Sequence, residues 1–97
     1  MIQINSEKEI KIEKNYLVVD SEHDNLVISL YMINHVKLEK KEYNHTNLVK
    51  AGGGVLYLYN HQHTVLHKLL FKNIELAMKV YYAMQVIIIN RKQGENQ

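Results

Sequence analysis

The sequence predicts an α+β fold: a curled antiparallel sheet or small open barrel of about five to seven strands, closed by one C-terminal helix. Three observations predict it. Val55-Leu56-Tyr57-Leu58-Tyr59, the polar run Asn60-His61-Gln62-His63 and residues 64–71 have the pattern of strand, turn and returning strand. Residues 74–89 repeat apolar side chains at three-four spacing, as an amphipathic helix does. In a chain of 97 residues, the sheet containing that hairpin is the only apolar partner large enough to cover the helix.

Taken in order, Glu9-Ile10-Lys11-Ile12-Glu13-Lys14 alternates charged and apolar residues with period two, a half-buried strand with Ile10 and Ile12 inward. Asn15 supplies a turn, and Tyr16-Leu17-Val18-Val19-Asp20 is a second strand of sheet-favouring residues. Ser21-Glu22-His23-Asp24-Asn25 is a polar turn. Residues 26–41 read as a strand with Ile28, Leu30, Met32, Val36 and Leu38 on the inner side, broken or bulged near Asn34. The charged residues 37–42 are expected in solvent and residues 42–47 in a loop. Leu48-Val49-Lys50 is expected to be a short strand. Gly52-Gly53-Gly54 lose much backbone entropy when ordered, so a turn or a close approach is expected there and not regular structure.

The helix, about residues 73–90, opens at Asn73 as N-cap, with Glu75 in the first turn suiting the helix dipole. Ile74, Ala77, Met78, Tyr81, Met84 and Ile88 form the expected buried stripe, and Glu75 with Lys79 an exposed i, i+4 pair. Residues 1–92 are read as one domain and 93–97 as a frayed tail.

Composition excludes several function classes. There is no cysteine, hence no disulfide, thiolate zinc site or cysteine nucleophile. The apolar block Val86-Ile87-Ile88-Ile89 is too short to span a bilayer, and Met1 to Lys8 lack the pattern of a secretory signal. A cytoplasmic protein is expected. The net charge of +2 is too small to argue for nucleic acid.

Chemistry-bearing patterns are weak. His61, His63 and His67 are close in sequence, but His63 and His67 on one side of a strand stand about 13–14 Å apart at roughly 3.4 Å rise per residue. The glycine run precedes a strand where a phosphate-binding loop precedes a helix. No serine lies in a nucleophile elbow, and Asp20, Glu22, His23 and Asp24 lack the rest of a calcium loop. No enzyme activity, cofactor or metal is expected.

Apolar surface is the more informative feature. Val55, Tyr57 and Tyr59 oppose Leu56 and Leu58, so both faces of that strand ask for cover. On the helix, Val80, Tyr82, Val86 and Ile87 flank or leave the core stripe, and Ile89 extends it. The candidate interaction surface is therefore Tyr57, Tyr59, Val80, Tyr82, Val86 and Ile87.

The sequence also resembles the small pleckstrin-homology-like domains common in bacterial and phage proteins. The resemblance rests on Tyr16-Leu17-Val18-Val19 leading into Ile28-Ser29-Leu30-Tyr31-Met32-Ile33-Asn34-His35-Val36, on the hairpin ending Leu69-Leu70-Phe71, and on the helix start Asn73-Ile74-Glu75-Leu76-Ala77. It implies a binding or assembly module. Lipid binding does not carry over, because Asn15 alone separates the first strands, with acidic Glu13 nearby and no basic loop. The expected function is a protein-interaction module of a phage or bacterial regulatory kind, partnered with itself as a homodimer or larger closed oligomer, or with another protein. The alternative is a small nucleic-acid-binding regulator using the aromatic sheet face and basic C-terminal end. No membrane partner is expected.

Overall fold

The structure, a computed structural model, describes the backbone of residues 1–45 and 48–95, and the side chains apart from those of 42–51 and 95. Among the described residues the strands are β1 (Ile2–Ile4), β2 (Ile10–Glu13), β3 (Tyr16–Asp20), β4 (Asn25–Ser29), β5 (His35–His45), β6 (Leu48–Tyr59) and β7 (Val65–Phe71), followed by helix α1 (Ile74–Glu95). They form two open sheets, ordered β1-β7-β6-β5 and β2-β3-β4. β1 runs parallel to β7, and every other pairing is antiparallel. The fold is α+β with seven strands. Two sheets stand where a single curled antiparallel sheet was expected, and no barrel closes among the described residues.

The division has a local cause. The expected long strand over residues 26–41 ends at Ser29, and a single 3₁₀ turn, Leu30–Met32, carries the chain from the smaller sheet to the larger. Ser29 Oγ caps this turn by accepting from Tyr31 N at 3.3 Å. The turn also shifts the inward phase of the chain. Leu30 and Ile33 are buried, while Met32, expected inside, is 53% exposed.

The turn is fastened from three directions. Leu30 N donates to Asn15 O at 2.8 Å, from the β2–β3 turn. Arg91, near the end of α1, donates through Nη1 to Leu30 O and through Nη2 to Ile33 O at 2.6 Å. His61 Nε2, in the β6–β7 turn, lies 2.8 Å from Tyr31 O. Carbonyls outside a strand ladder need such donors when they are turned inward.

The expected loop at residues 42–47 is replaced by β5 continuing through His45; residues 46 and 47 lie outside the described residues. Its partner β6 is likewise longer than expected. Leu48-Val49-Lys50 is not a separate strand but the start of β6, which continues through Gly52-Gly53-Gly54. A register shift against β5 between Lys41 and Tyr43 leaves Gly52 without a strand partner there among the described residues. The glycines sit inside regular structure because of what surrounds them. A Cβ on Gly53 would fall on the carbonyl oxygen of Phe71, and one on Gly54 would lie 3.1 Å from Ile74 Cδ1 and 3.2 Å from Leu38 Cδ1. At Gly53 the neighbour is backbone at the end of β7, which leaves no room for a side chain; at Gly54 the first turn of the helix and a β5 side chain crowd the position more mildly. The close approach was legible; its place within a strand was not.

Helix α1 starts as expected. Asn73 Oδ1 accepts from Glu75 N at 2.8 Å and from Leu76 N at 3.4 Å. It continues to Glu95, past the expected end near residue 90 and through Gly94. Ala77, Met84 and Ile88 are buried in the core with Leu56, Leu58, Leu69 and Phe71 of the larger sheet and Leu17, Val19 and Ile28 of the smaller. Ile74 and Tyr81 are half-buried against that core. Met78 is half-buried. The expected Glu75–Lys79 pair gives way to a longer-range one: Lys79 Nζ meets Glu7 Oε1 at 2.5 Å, and holds that carboxyl below its ordinary pKa by hydrogen bond and charge.

Met84→Ala removes a fully buried side chain and should cost about 2–5 kcal/mol, whereas Lys79→Ala breaks only an exposed ion pair and should be nearly silent. Equal thermal midpoints for the two would contradict the packing described. The glycines supply a second contrast. Gly53→Ala should prevent native folding, whereas Gly94→Ala, which meets nothing within 4 Å, should leave stability unchanged or raise it by up to about 1 kcal/mol.

Candidate interaction surfaces

Two separate surfaces emerge where the sequence suggests one. Tyr57 and Tyr59 point away from the helix, on the outer face of the larger sheet. Register explains their company: His35 pairs with Tyr59 and Lys37 with Tyr57 across β5 and β6, and Lys68 pairs with Tyr57 across β6 and β7. Antiparallel partners share a face. The ring of His35 stacks on Tyr59, with centroids 4.3 Å apart and planes 8° from parallel. His63 approaches His35 at 5.6 Å and Tyr57 approaches Tyr59 at 6.5 Å. The Lys68 ammonium lies 5.9 Å from the Tyr57 ring centre, within cation–π range.

This row is internally partnered. Tyr57 donates its hydroxyl to Glu39 Oε2 at 3.1 Å, and Lys41 Nζ meets the other oxygen, Oε1, at 2.6 Å. The bonds from Lys41 and then Tyr57 hold the Glu39 carboxyl below its usual pKa, and the bond to Glu39 raises that of the Tyr57 phenol. His35 and Tyr59 each turn one ring face to the other. Less open aromatic face is thus left for stacking on a nucleobase than the bare sequence suggests.

His35 was not singled out in the sequence; its pairing with Tyr59 depends on a register that sequence does not display. Among the histidines that were, His63 occupies the left-handed region (φ 64) in a turn closed by Asn60, whose Oδ1 accepts from Gln62 N and Thr64 N, both at 3.0 Å. His67 stands opposite core residue Leu58, so it does not share a side with His63 as simple alternation implied. The register shift between Leu58 and Tyr59 breaks the alternation. Among the described residues, no three His, Asp or Glu side chains come together as a metal ion would need. The acidic turn at residues 20–24 is closed locally, with Ser21 N donating to Asp24 O at 2.9 Å and Asp24 N to Ser21 Oγ at 3.1 Å.

The second surface is the outer side of α1. Tyr82, Val86 and Ile89 are 58%, 58% and 51% exposed. Their i, i+4, i+7 spacing sets them in one stripe. Val80 does not belong to it: at 9% exposure it is part of the core, because the smaller sheet and the chain leading into β2 flank that side of the helix. Ile87 is half-buried, beside Leu30, Tyr31 and Arg91 at the inter-sheet turn. Of the six residues expected on an interaction surface, Tyr82 and Val86 fall together, Tyr57 and Tyr59 together on the opposite side of the sheet–helix pair, and Val80 and Ile87 on neither.

Fold and surfaces together define an α+β domain of two open sheets and one long C-terminal helix, displaying an aromatic sheet face and an apolar helix stripe. No family model, curated protein or solved structure matches the chain. Among the described residues no helix is long and apolar enough to cross a membrane.

The histidine row predicts a fold that loses stability in acid. Burial first, then the nearby charges of His63 and Lys92, hold the His35 pKa below its ordinary 6.5. Asn34 Nδ2 lies 3.1 Å from His35 Nδ1, a bond the nitrogen accepts only when unprotonated. A folded-state pKa below the unfolded value means the unfolded chain binds the proton more readily. Stability from this residue is therefore present above the unfolded pKa and lost as pH falls from there through the lower folded-state pKa. His35→Phe keeps a ring beside Tyr59 and cannot titrate. Its thermal midpoint should fall less than the wild type's between about pH 7.5 and about pH 5.5; an equal fall in both would remove His35 as the cause.

Proposed function

We propose that this chain is a non-enzymatic interaction and assembly module that associates with a second copy of itself through the outer stripe of α1. One observation carries the reading: Tyr82, Val86 and Ile89 stand more than half exposed in a single row on the longest helix. Scattered exposed apolar residues are ordinary, but a row of large ones on one helix face supports a contact surface. Burial stabilises by roughly 25 cal/mol per Å² of apolar area, which has to exceed the entropy lost on docking. A two-fold contact sets each stripe against its own copy, with Val86 near the axis and Tyr82 of one copy toward Ile89 of the other.

Two sheets followed by one C-terminal helix are compatible with the resemblance to pleckstrin-homology-like domains, and a binding or assembly role agrees with it. The helix stripe is favoured over the Tyr57–Tyr59 face because the latter's rings and charges already partner one another.

Light scattering or sedimentation tests this directly. The wild type should have a solution mass of at least twice 11.4 kDa. Val86→Glu should return it to the monomer mass with unchanged circular dichroism, while Tyr57→Ala should remain associated. A wild type that stays monomeric at high micromolar concentration would overturn self-association.

A further inference from the structure

We propose that a groove between the open edge of β2 and helix α1 binds an extended polypeptide segment, which adds to β2 as a further strand and places apolar side chains against the helix. The groove encloses about 290 Å³, walled by Ile10 and Ile12 on one side and by Leu76, Val80 and Ala83 on the other. Leu76, Val80 and Ala83 follow one another at i, i+4 and i+7, so the helix contributes a continuous apolar wall.

The opposite wall decides what fits. Ile10, Lys11 and Ile12 all border the groove, though successive side chains on a strand point to opposite faces. Ile10 and Ile12 share the inner face of β2, and with Lys11 between them also on the border, the groove runs along the strand beside its free edge. β2 is the terminal strand of its sheet and pairs only with β3 among the described residues; on its other edge Ile10 N donates to Glu7 O, and the peptide groups of Ile12 are left for a further strand. An unpaired edge presents donors and acceptors in the spacing of a strand and accepts another strand about 4.8 Å away. An acyl chain or a packed helix fills apolar space but leaves that ladder unmade. An extended peptide satisfies both walls, with backbone on β2 and alternate side chains on the helix.

The mouth is bounded rather than blocked. The Lys79–Glu7 ion pair stands at one side, and Lys11 turns back to Glu13 at 3.1 Å. The partner is thus a segment with apolar residues at alternate positions. This groove is separate from the Tyr82–Val86–Ile89 stripe, and the proposal does not rest on self-association.

Selection of random heptapeptides displayed on phage, against the wild-type protein and against Ala83→Arg, tests the assignment. Ala83 is exposed, so arginine there fills the groove without entering the core. Peptides enriched on the wild type should show apolar residues two apart and should not be enriched on Ala83→Arg. The best of them, made synthetically, should shift the amide resonances of Ile10–Glu13 and of the helix wall. The same peptide N-methylated at alternate residues should bind about tenfold more weakly or worse, because strand pairing is lost while its side chains remain. Binding to Val86→Glu should be unchanged. Absence of enrichment, enrichment equal on Ala83→Arg, or full affinity of the N-methylated peptide would each overturn the proposal. So would resonances of Ile10–Glu13 that shift with the protein's own concentration in Val86→Glu, since a second copy would then be the occupant.

Discussion

The arrangement of this molecule depends on the 3₁₀ turn Leu30–Met32 and on the guanidinium that holds it. A chain passing from one sheet to another leaves the hydrogen-bond ladder of the first before joining that of the second, and the peptide groups between need other partners. Arg91 satisfies Leu30 O and Ile33 O together, a task suited to its planar fork of donors. Asn15 and His61 tie the same turn to the β2–β3 and β6–β7 turns, and Asn34 N reaches Tyr59 O at 2.8 Å. Both sheets and the end of the helix therefore meet at one point. Their relative placement is a consequence of a few polar contacts around a short irregular segment.

That placement sorts the helix residues into inside and outside. Residues 74–89 are apolar over more of the helix surface than a single sheet covers. With sheet strands on one flank and β2 on another, Val80 enters the core and Ile87 packs beside the inter-sheet turn. Tyr82, Val86 and Ile89 face the remaining direction, where no element of the described chain lies over them. The glycine run answers two separate approaches: backbone at the end of β7 leaves no room for a methyl group at Gly53, and the first turn of the helix crowds one at Gly54.

The outer face of the larger sheet follows a different logic. Cross-strand pairing brings His35, Tyr59, Tyr57, Lys68 and Glu39 together, and these side chains stack on and hydrogen-bond to one another. Such a row stabilises the sheet through cross-strand contacts. The bond that His35 Nδ1 accepts from Asn34 and the burial that lowers its pKa make this row the part of the sheet expected to respond to acid.

The sequence by itself determined the local elements whose signals are local. Period-two alternation set β2, β-branched and aromatic content set β3, the polar turn after Tyr59 set the returning strand β7, and Asn73 set the start of α1, because each rests on neighbours within a few residues. Sequence could not determine how far a strand runs once its partner supplies the ladder. β5 and β6 extend each other through residues 43–45 and through Gly53 and Gly54, against local preference, since the partner strand supplies the ladder on both sides of a register shift between Lys41 and Tyr43. Nor could it separate Val80 from Val86, identical in type and six residues apart on one helix. Only the two sheets, fixed on either flank by the turn at Leu30–Met32, decided which valine is core and which meets solvent. Burial is a property of what lies opposite a residue, and that is set by contacts distant in the chain.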